Sequence, residues 1–254
     1  MIIASQDPVA KAVVDAIHTG NIETLTSLLD QHAGLASARI GDPSGCARTL
    51  LHVACDWPGH FPNGAAAITL LLDAGAEVNA NFLGSHTETP LHWAASSDDV
   101  DALEALIAGG ADLEASGAVI AGGTPLDDAV AFAQWRAAHR LVEHGAQTAL
   151  WHAAALGLMD ELELHLAGDA PAARYPWGAS ASVAPDPVQV AFWCACHGGH
   201  MDAAQVLLAR GADLDWASPW DQLTPLDAAE REHHADVVAW LRSLGATSAQ
   251  MPVI

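Results

Sequence analysis

Residues 89–115 read TPLHWAASSDDVDALEALIAGGADLEA, and the way that stretch is punctuated decides the fold. Thr89 is a residue type that caps a helix start, and Pro90 behind it occupies the position where a helix spares a backbone N–H. Leu103, Leu106 and Ile107 recur at three- and four-residue spacing and so share one face of a second helix. Gly109-Gly110 then supplies the left-handed residue on which such a helix ends. Two short helices with one apolar stripe each cannot bury that stripe alone, so the pair must stack on copies of itself.

The copies are present on both sides. The opening returns as TLLHVAC at 49–55, TPLDDAV at 124–130 and TPLDAAE at 224–230. The closure returns as LLLDAGAEVNA at 70–80, RLVEHGA at 140–146, VLLARGADLDW at 206–216 and WLRSLGA at 240–246. The chain thereby resembles the ankyrin family, whose repeat is a hairpin-like turn followed by two antiparallel helices, and residues 89–115 match that pattern without a gap. Two degenerate units turn at Gly20-Asn21 within 11–29 and at Gly157 within 148–166. The expectation is an all-α ankyrin-repeat solenoid of about seven helix-turn-helix units in a single domain over 1–254, some with hairpin fingers and with caps at both ends. The units fall near 8–41, 49–80, 89–115, 124–147, 148–168, 190–216 and 224–247.

Departures from the repeat point to function. The second unit inserts DWPGHFPNG at 56–64, whose prolines and glycines forbid a continued helix and place a loop at the rim of a groove. The fifth unit follows Gly145-Ala146 with no room for a finger, and an Ala-, Pro- and Gly-rich stretch at 168–189 separates it from the sixth as a long surface loop and candidate lid.

Composition narrows the partners. Against 31 Asp and Glu stand nine Lys and Arg, a formal charge of −22 that repels phosphate backbones and anionic lipid headgroups. Nucleic acid and membrane are therefore not expected partners; a protein or peptide, basic in character, is, with a small cationic or aromatic ligand as the other candidate. No apolar run approaches the ~20 residues a bilayer requires, and MIIASQDPVAK lacks the basic-then-apolar pattern of a secretion signal, so a cytoplasmic location is the default. Cys46, Cys55, Cys194 and Cys196 read as free thiols rather than disulfides.

In proteins that this sequence resembles, binding uses the hairpin tips and the exposed ends of the inner helices. Carried over position by position, that gives Asp56, Trp57, Ser96, Ser97, Ala131, Phe132, Ala155, Leu156, His197 and Gly198 from inner helices, and His86, Glu88, Ile120, Asp186, Trp220 and Asp221 from fingers. His60, Asp98, Asp99 and Trp135 join them as polar or aromatic residues outside the repeat's structural positions. Nine Trp is high for a repeat built of small residues, and aromatic faces beside carboxylates suit a cation. Trp57, Trp135 and Trp220 are the candidate anchors. His52 and His92 in the T-x-L-H pattern, and His200 in a Gly-His turn, read as ties between repeats, while Trp151, Trp193 and Trp240 lie at core spacing. An alternative is acid–base chemistry by Asp56, His60, His86 and Glu88, since imidazole beside carboxylate is its minimum kit. No phosphate loop, nucleophile elbow or spaced metal-ligand set accompanies them, so the balance falls against an enzyme and no metal or cofactor is expected.

Overall fold

A computed structural model describes residues 1–119, 122–168 and 185–249. Ile120 and most of the 168–189 stretch, with its candidate lid, lie outside the described residues. The described helices fall in pairs that reproduce the seven repeats, and the chain divides into two compact units, Met1–Ala146 and Gln147–Ile254.

In the first unit the pairs are α1 (Pro8–His18) with α2 (Ile22–Gln31), α3 (Leu50–Ala54) with α4 (Gly64–Asp73), α5 (Pro90–Ser96) with α6 (Val100–Ala108), and α7 (Pro125–Ala131) with α8 (Trp135–Glu143). The first helices of successive pairs touch in the order α1, α3, α5, α7, and the second helices in the order α2, α4, α6, α8. That stacking buries Leu51, Leu71, Leu91, Leu103 and Leu106 completely, which closes the stripe that no single pair could close. One addition escapes the helical periodicity: strands β1 (Ile2–Ala4), β2 (Arg39–Gly41) and β3 (Ala47–Thr49) form a small sheet, β1 parallel and β3 antiparallel to β2.

In the second unit α9 (Leu150–Ala155) pairs with α10 (Met159–Ala167), α11 (Pro187–Gly198) with α12 (Met201–Ala209), and α13 (Pro225–Arg231) with α14 (Ala235–Ser243), and α11 packs on both α9 and α13. Trp151 and Trp193 are buried there, as core spacing predicts, while Trp240 is half-buried against the same core; Ala155 and Leu156, expected on the groove, are buried too, and all four cysteines are free thiols.

The T-x-L-H pattern does two jobs. At the helix start Thr89 N–H donates to His92 Nδ1 at 3.0 Å, and Asp127 and Asp227 receive the corresponding Thr N–H in the T-P-L-D units. Toward the next repeat, His52 Nε2–H donates to Glu88 O at 3.0 Å and His92 Nε2–H to Gly123 O at 3.2 Å, each carbonyl lying just before the next capping Thr. In the second unit Trp193 Nε1–H makes the same tie, to Leu223 O at 3.0 Å. An indole replaces an imidazole at one functional position of the repeat.

Candidate functional site: an aromatic and acidic cleft in the first unit

The inserted loop at 56–64 is clamped from two sides. His18 stacks on Phe61 at 4.3 Å, Asn63 Nδ2 donates to Gly20 O, and a Cβ at Gly20 would overlap the Pro62 carbonyl, so the loop's far end sits against the first repeat. His60 fixes its near end to the third repeat: its backbone N–H donates to Asp99 Oδ2 and its ring Nε2–H to Ser97 O at 3.1 Å. Asp99 is buried and also caps α6 through Ala102 N–H. Held at both ends, the loop leaves Trp57 with 80 % of its surface exposed.

Beside Trp57 opens a cleft of about 420 Å³ lined by Asp56, Trp57, Glu88, Trp93, Ser96, Ser97, Val119, Phe132 and Gln134. Phe132 is 43 % exposed where α7 ends, and Val119 is exposed on the adjoining finger. Trp93 forms a wall. Its ring is T-shaped to His52 at 4.9 Å and tilted against Phe82 at 5.7 Å, and Phe82 stacks on His86 at 4.5 Å. Behind Trp93 lies a second cavity of about 320 Å³, lined by Arg48, Cys46, Asp42 and Phe82 among others, and Trp93 lines both.

The two carboxylates of the cleft differ. Glu88 is buried, and its oxygens are taken by the protein: Oε1 accepts from Val119 N–H at 2.9 Å and Oε2 from Trp93 Nε1–H at 2.8 Å. His86 Nδ1 lies 3.0 Å from Oε2, an ion-pair distance without hydrogen-bond alignment. Glu88 thus sets the finger and the indole of Trp93. Asp56 stands nearer solvent and pairs through Oδ2 with Arg48, both side chains about one-third exposed.

The four residues of the acid–base alternative go to three sets of partners: Asp56 to Arg48, His60 to Ser97 and Asp99, and His86 with Glu88. Of the other candidates, Ser96 and Phe132 line the cleft, while Asp98 accepts from Ala137 N–H at 2.7 Å and lies 3.9 Å from Arg136. Trp135 opens α8, outside the cleft lining. Ser97, another sequence candidate, also lines the cleft, and Trp93, Val119 and Gln134 join it without having been candidates. Trp93 was readable as an aromatic in a helix of small residues, whereas Val119 and Gln134 give no signal before the finger and the turn are folded.

His197 and Trp220 belong to the second unit, where they build a different arrangement. Trp193 meets the edge of Trp220 at 5.1 Å and the ring of His197 at 5.2 Å. Arg231 lies over Trp193, 5.5 Å from its centroid, donates to Asp221 Oδ2 at 3.0 Å and to Glu232 Oε1 at 3.1 Å, and reaches His197 Nδ1 at 3.4 Å. This cluster carries its own cation.

Residues 63–150, from α4 to the start of α9, match the family model of ankyrin repeats in three copies, and residues 189–218, over α11 and α12, match the single ankyrin repeat. The chain is an ankyrin-repeat protein. An ankyrin repeat and KH domain-containing protein of Caenorhabditis briggsae is 39 % identical over 51 residues, which span 20 % of this chain and 2 % of that protein's length. The ankyrin repeat domain of human ASB11 superposes with a TM-score of 0.48 at 20 % identity, covering 95 % of this chain and 85 % of that one. Ankyrin repeats are generally protein–protein interaction modules. Among the described residues no helix of this ankyrin-repeat protein is long and apolar enough to cross a membrane.

Proposed function

We propose that this ankyrin-repeat protein is a binding module whose first-unit cleft recognises a basic segment of a partner protein. The observation that carries the reading is Trp57, 80 % exposed on a loop clamped at both ends, facing a cleft that also offers Phe132, Trp93 and the carboxylate of Asp56. Exposing a large aromatic on a rigid support forgoes its burial in the free protein and keeps it for a complex, where Trp is the residue type that dominates binding energy. The formal charge of −22 raises the encounter rate with a cationic partner and disfavours an anionic one. Catalysis finds less support, because His60 and Glu88 are engaged in holding the loop and finger.

Ten-residue peptides of basic, neutral and acidic composition, labelled and titrated against the chain, test this. The basic set should bind, should weaken as salt rises from about 50 to 200 mM, and should lose about tenfold or more in affinity with Trp57→Ala. Equal binding of basic and acidic peptides, or an unchanged affinity in Trp57→Ala, would refute the reading.

A further inference from the structure

Resting on that reading, we propose that the cleft takes an arginine side chain of the partner, whose guanidinium replaces Arg48 at Asp56 and lies among Trp57, Phe132 and Trp93. The second unit shows what such aromatic and acidic groups hold when a cation is within reach: Arg231 sits over Trp193 while Asp221 and Glu232 accept its N–H groups. The first-unit cleft has the same ingredients with the cation's place open. It carries two carboxylates, Asp56 and Glu88, against one guanidinium, and that guanidinium enters from the neighbouring cavity that Arg48 lines. Arg48 pairs with Asp56 but makes no cation–π contact among the described residues, so the aromatic faces of the cleft remain unused by it.

Chemistry favours arginine over lysine here. A planar guanidinium stacks on aromatic faces, is weakly hydrated, and still presents N–H donors at its edge to a carboxylate, whereas an ammonium is a compact, strongly hydrated charge. The exchange is also cheap to begin. The Arg48–Asp56 pair is about one-third exposed, so water reaches both charges when it opens and the loss is smaller than for a buried pair. An incoming arginine therefore gives up little on opening the pair, and gains Asp56 together with the indole and phenyl faces. Arg48 works as a placeholder that keeps Asp56 from an unpaired state and sets a threshold against weaker cations.

The test is an NMR titration of the full chain with acetyl-arginine-amide, acetyl-lysine-amide and the neutral isostere acetyl-citrulline-amide, reading the indole N–H signals of Trp57 and Trp93, each assigned by its Trp→Phe variant. Arginine-amide should shift both signals saturably, lysine-amide about threefold or more weakly, and citrulline-amide not at all. Arg48→Gln should tighten arginine-amide binding by about three- to fivefold, and Arg210→Gln, which removes the same charge from an exposed position of the second unit, should tighten it by less than half of that. Asp56→Asn should abolish the shifts with the amide spectrum otherwise unchanged. Citrulline-amide binding as well as arginine-amide, or Arg48→Gln matching Arg210→Gln, overturns the proposal. If basic peptides bind the cleft while arginine-amide does not, the arginine assignment fails and the binding module stands; if neither binds, both fall.

Discussion

The two units solve one problem in opposite ways. Each brings Trp, His and carboxylate side chains together beside a T-x-L helix start, yet the second fills the arrangement with its own Arg231 while the first leaves a cleft of about 420 Å³ beside an exposed Trp57. The difference lies in where the cation is anchored. Arg231 ends α13 and reaches directly over Trp193, the indole that also ties α11 to the next repeat. Arg48 leaves from β3, meets Asp56 from the neighbouring cavity, and leaves the cleft's aromatic faces open. Identical chemistry therefore serves stability in one unit and availability in the other, and substitutions should separate the two roles.

The largest contrast is between two tryptophans. Trp193 is 1 % exposed and carries a tie between repeats, so Trp193→Ala should cost about 3–5 kcal/mol, with the loss of hydrogen-exchange protection concentrated in α11 and α13. Trp57→Ala should cost less than about 0.5 kcal/mol in urea unfolding, because little of that side chain is buried. Leu106→Ala, fully buried in α6, gives a reference of about 2–5 kcal/mol for an ordinary stacking position. Similar losses for Trp57 and Trp193 would erase the distinction between an open and a filled arrangement.

Next comes pH. In the first unit the ties are imidazoles: burial pushes His52 from its ordinary 6.5 down to about 3, and burial likewise lowers His92. Between the two values the unfolded chain holds a proton that the folded chain does not, so this contribution is complete above pH 6.5 and is lost as pH falls toward 3. At pH 5 the His52 contribution alone amounts to about 2 kcal/mol of lost stability. In the second unit Trp193 makes the corresponding tie with an indole, which does not titrate, while a buried imidazole, His152, holds the helix start of the repeat before it. Denaturant midpoints at pH 7 and pH 5, compared between the wild-type chain and a His52→Gln, His92→Gln variant, should show a flatter pH dependence in the variant even though its stability at pH 7 is lower. An unchanged slope would mean that neither imidazole is the source.

Arg231→Gln should have a smaller effect, about 1 kcal/mol, since its side chain is 41 % exposed and solvent screens its pairs with Asp221 and Glu232. Trp193 fluorescence or its indole N–H signal should move in that variant, because the cation leaves the ring face. A silent Trp193 signal would show that Arg231 rests on its acids alone.

Much of this fold was legible because each repeat states its own punctuation. Thr89, Pro90, the stripe of Leu103 and Leu106, and the closing glycines each encode a helix end or face locally, and repetition supplies the packing partner. The three-residue strands were not legible, since three residues are too few to show an alternating pattern and β1 pairs with a strand more than thirty residues away. At the site, residue types were readable and partnerships were not. His60 looks in sequence like a free imidazole near acids; only the folded loop shows it spent on Ser97 O and the Asp99 carboxylate. Arg48 carries no motif at all. Its meeting with Asp56 depends on how β3 and the inserted loop are placed at the two ends of α3, which no spacing rule encodes.

The smallest expected effect falls on the cleft floor. Ser96 lines the cleft and donates its Oγ–H to Trp93 O at 3.1 Å, a hydrogen bond within one helix turn that water can replace. Ser96→Ala should therefore change stability by less than about 0.5 kcal/mol, in contrast with Leu106→Ala in the second helix of the same repeat. Its value lies in the pairing with ligand. If the cleft closes on a partner's side chain, Ser96 is desolvated only in the complex, and the substitution should leave urea unfolding alone while altering peptide affinity by two- to threefold at roughly the scale of one neutral hydrogen bond. A large loss of stability instead would place Ser96 in the stacked interior of the repeat and take it out of the cleft lining.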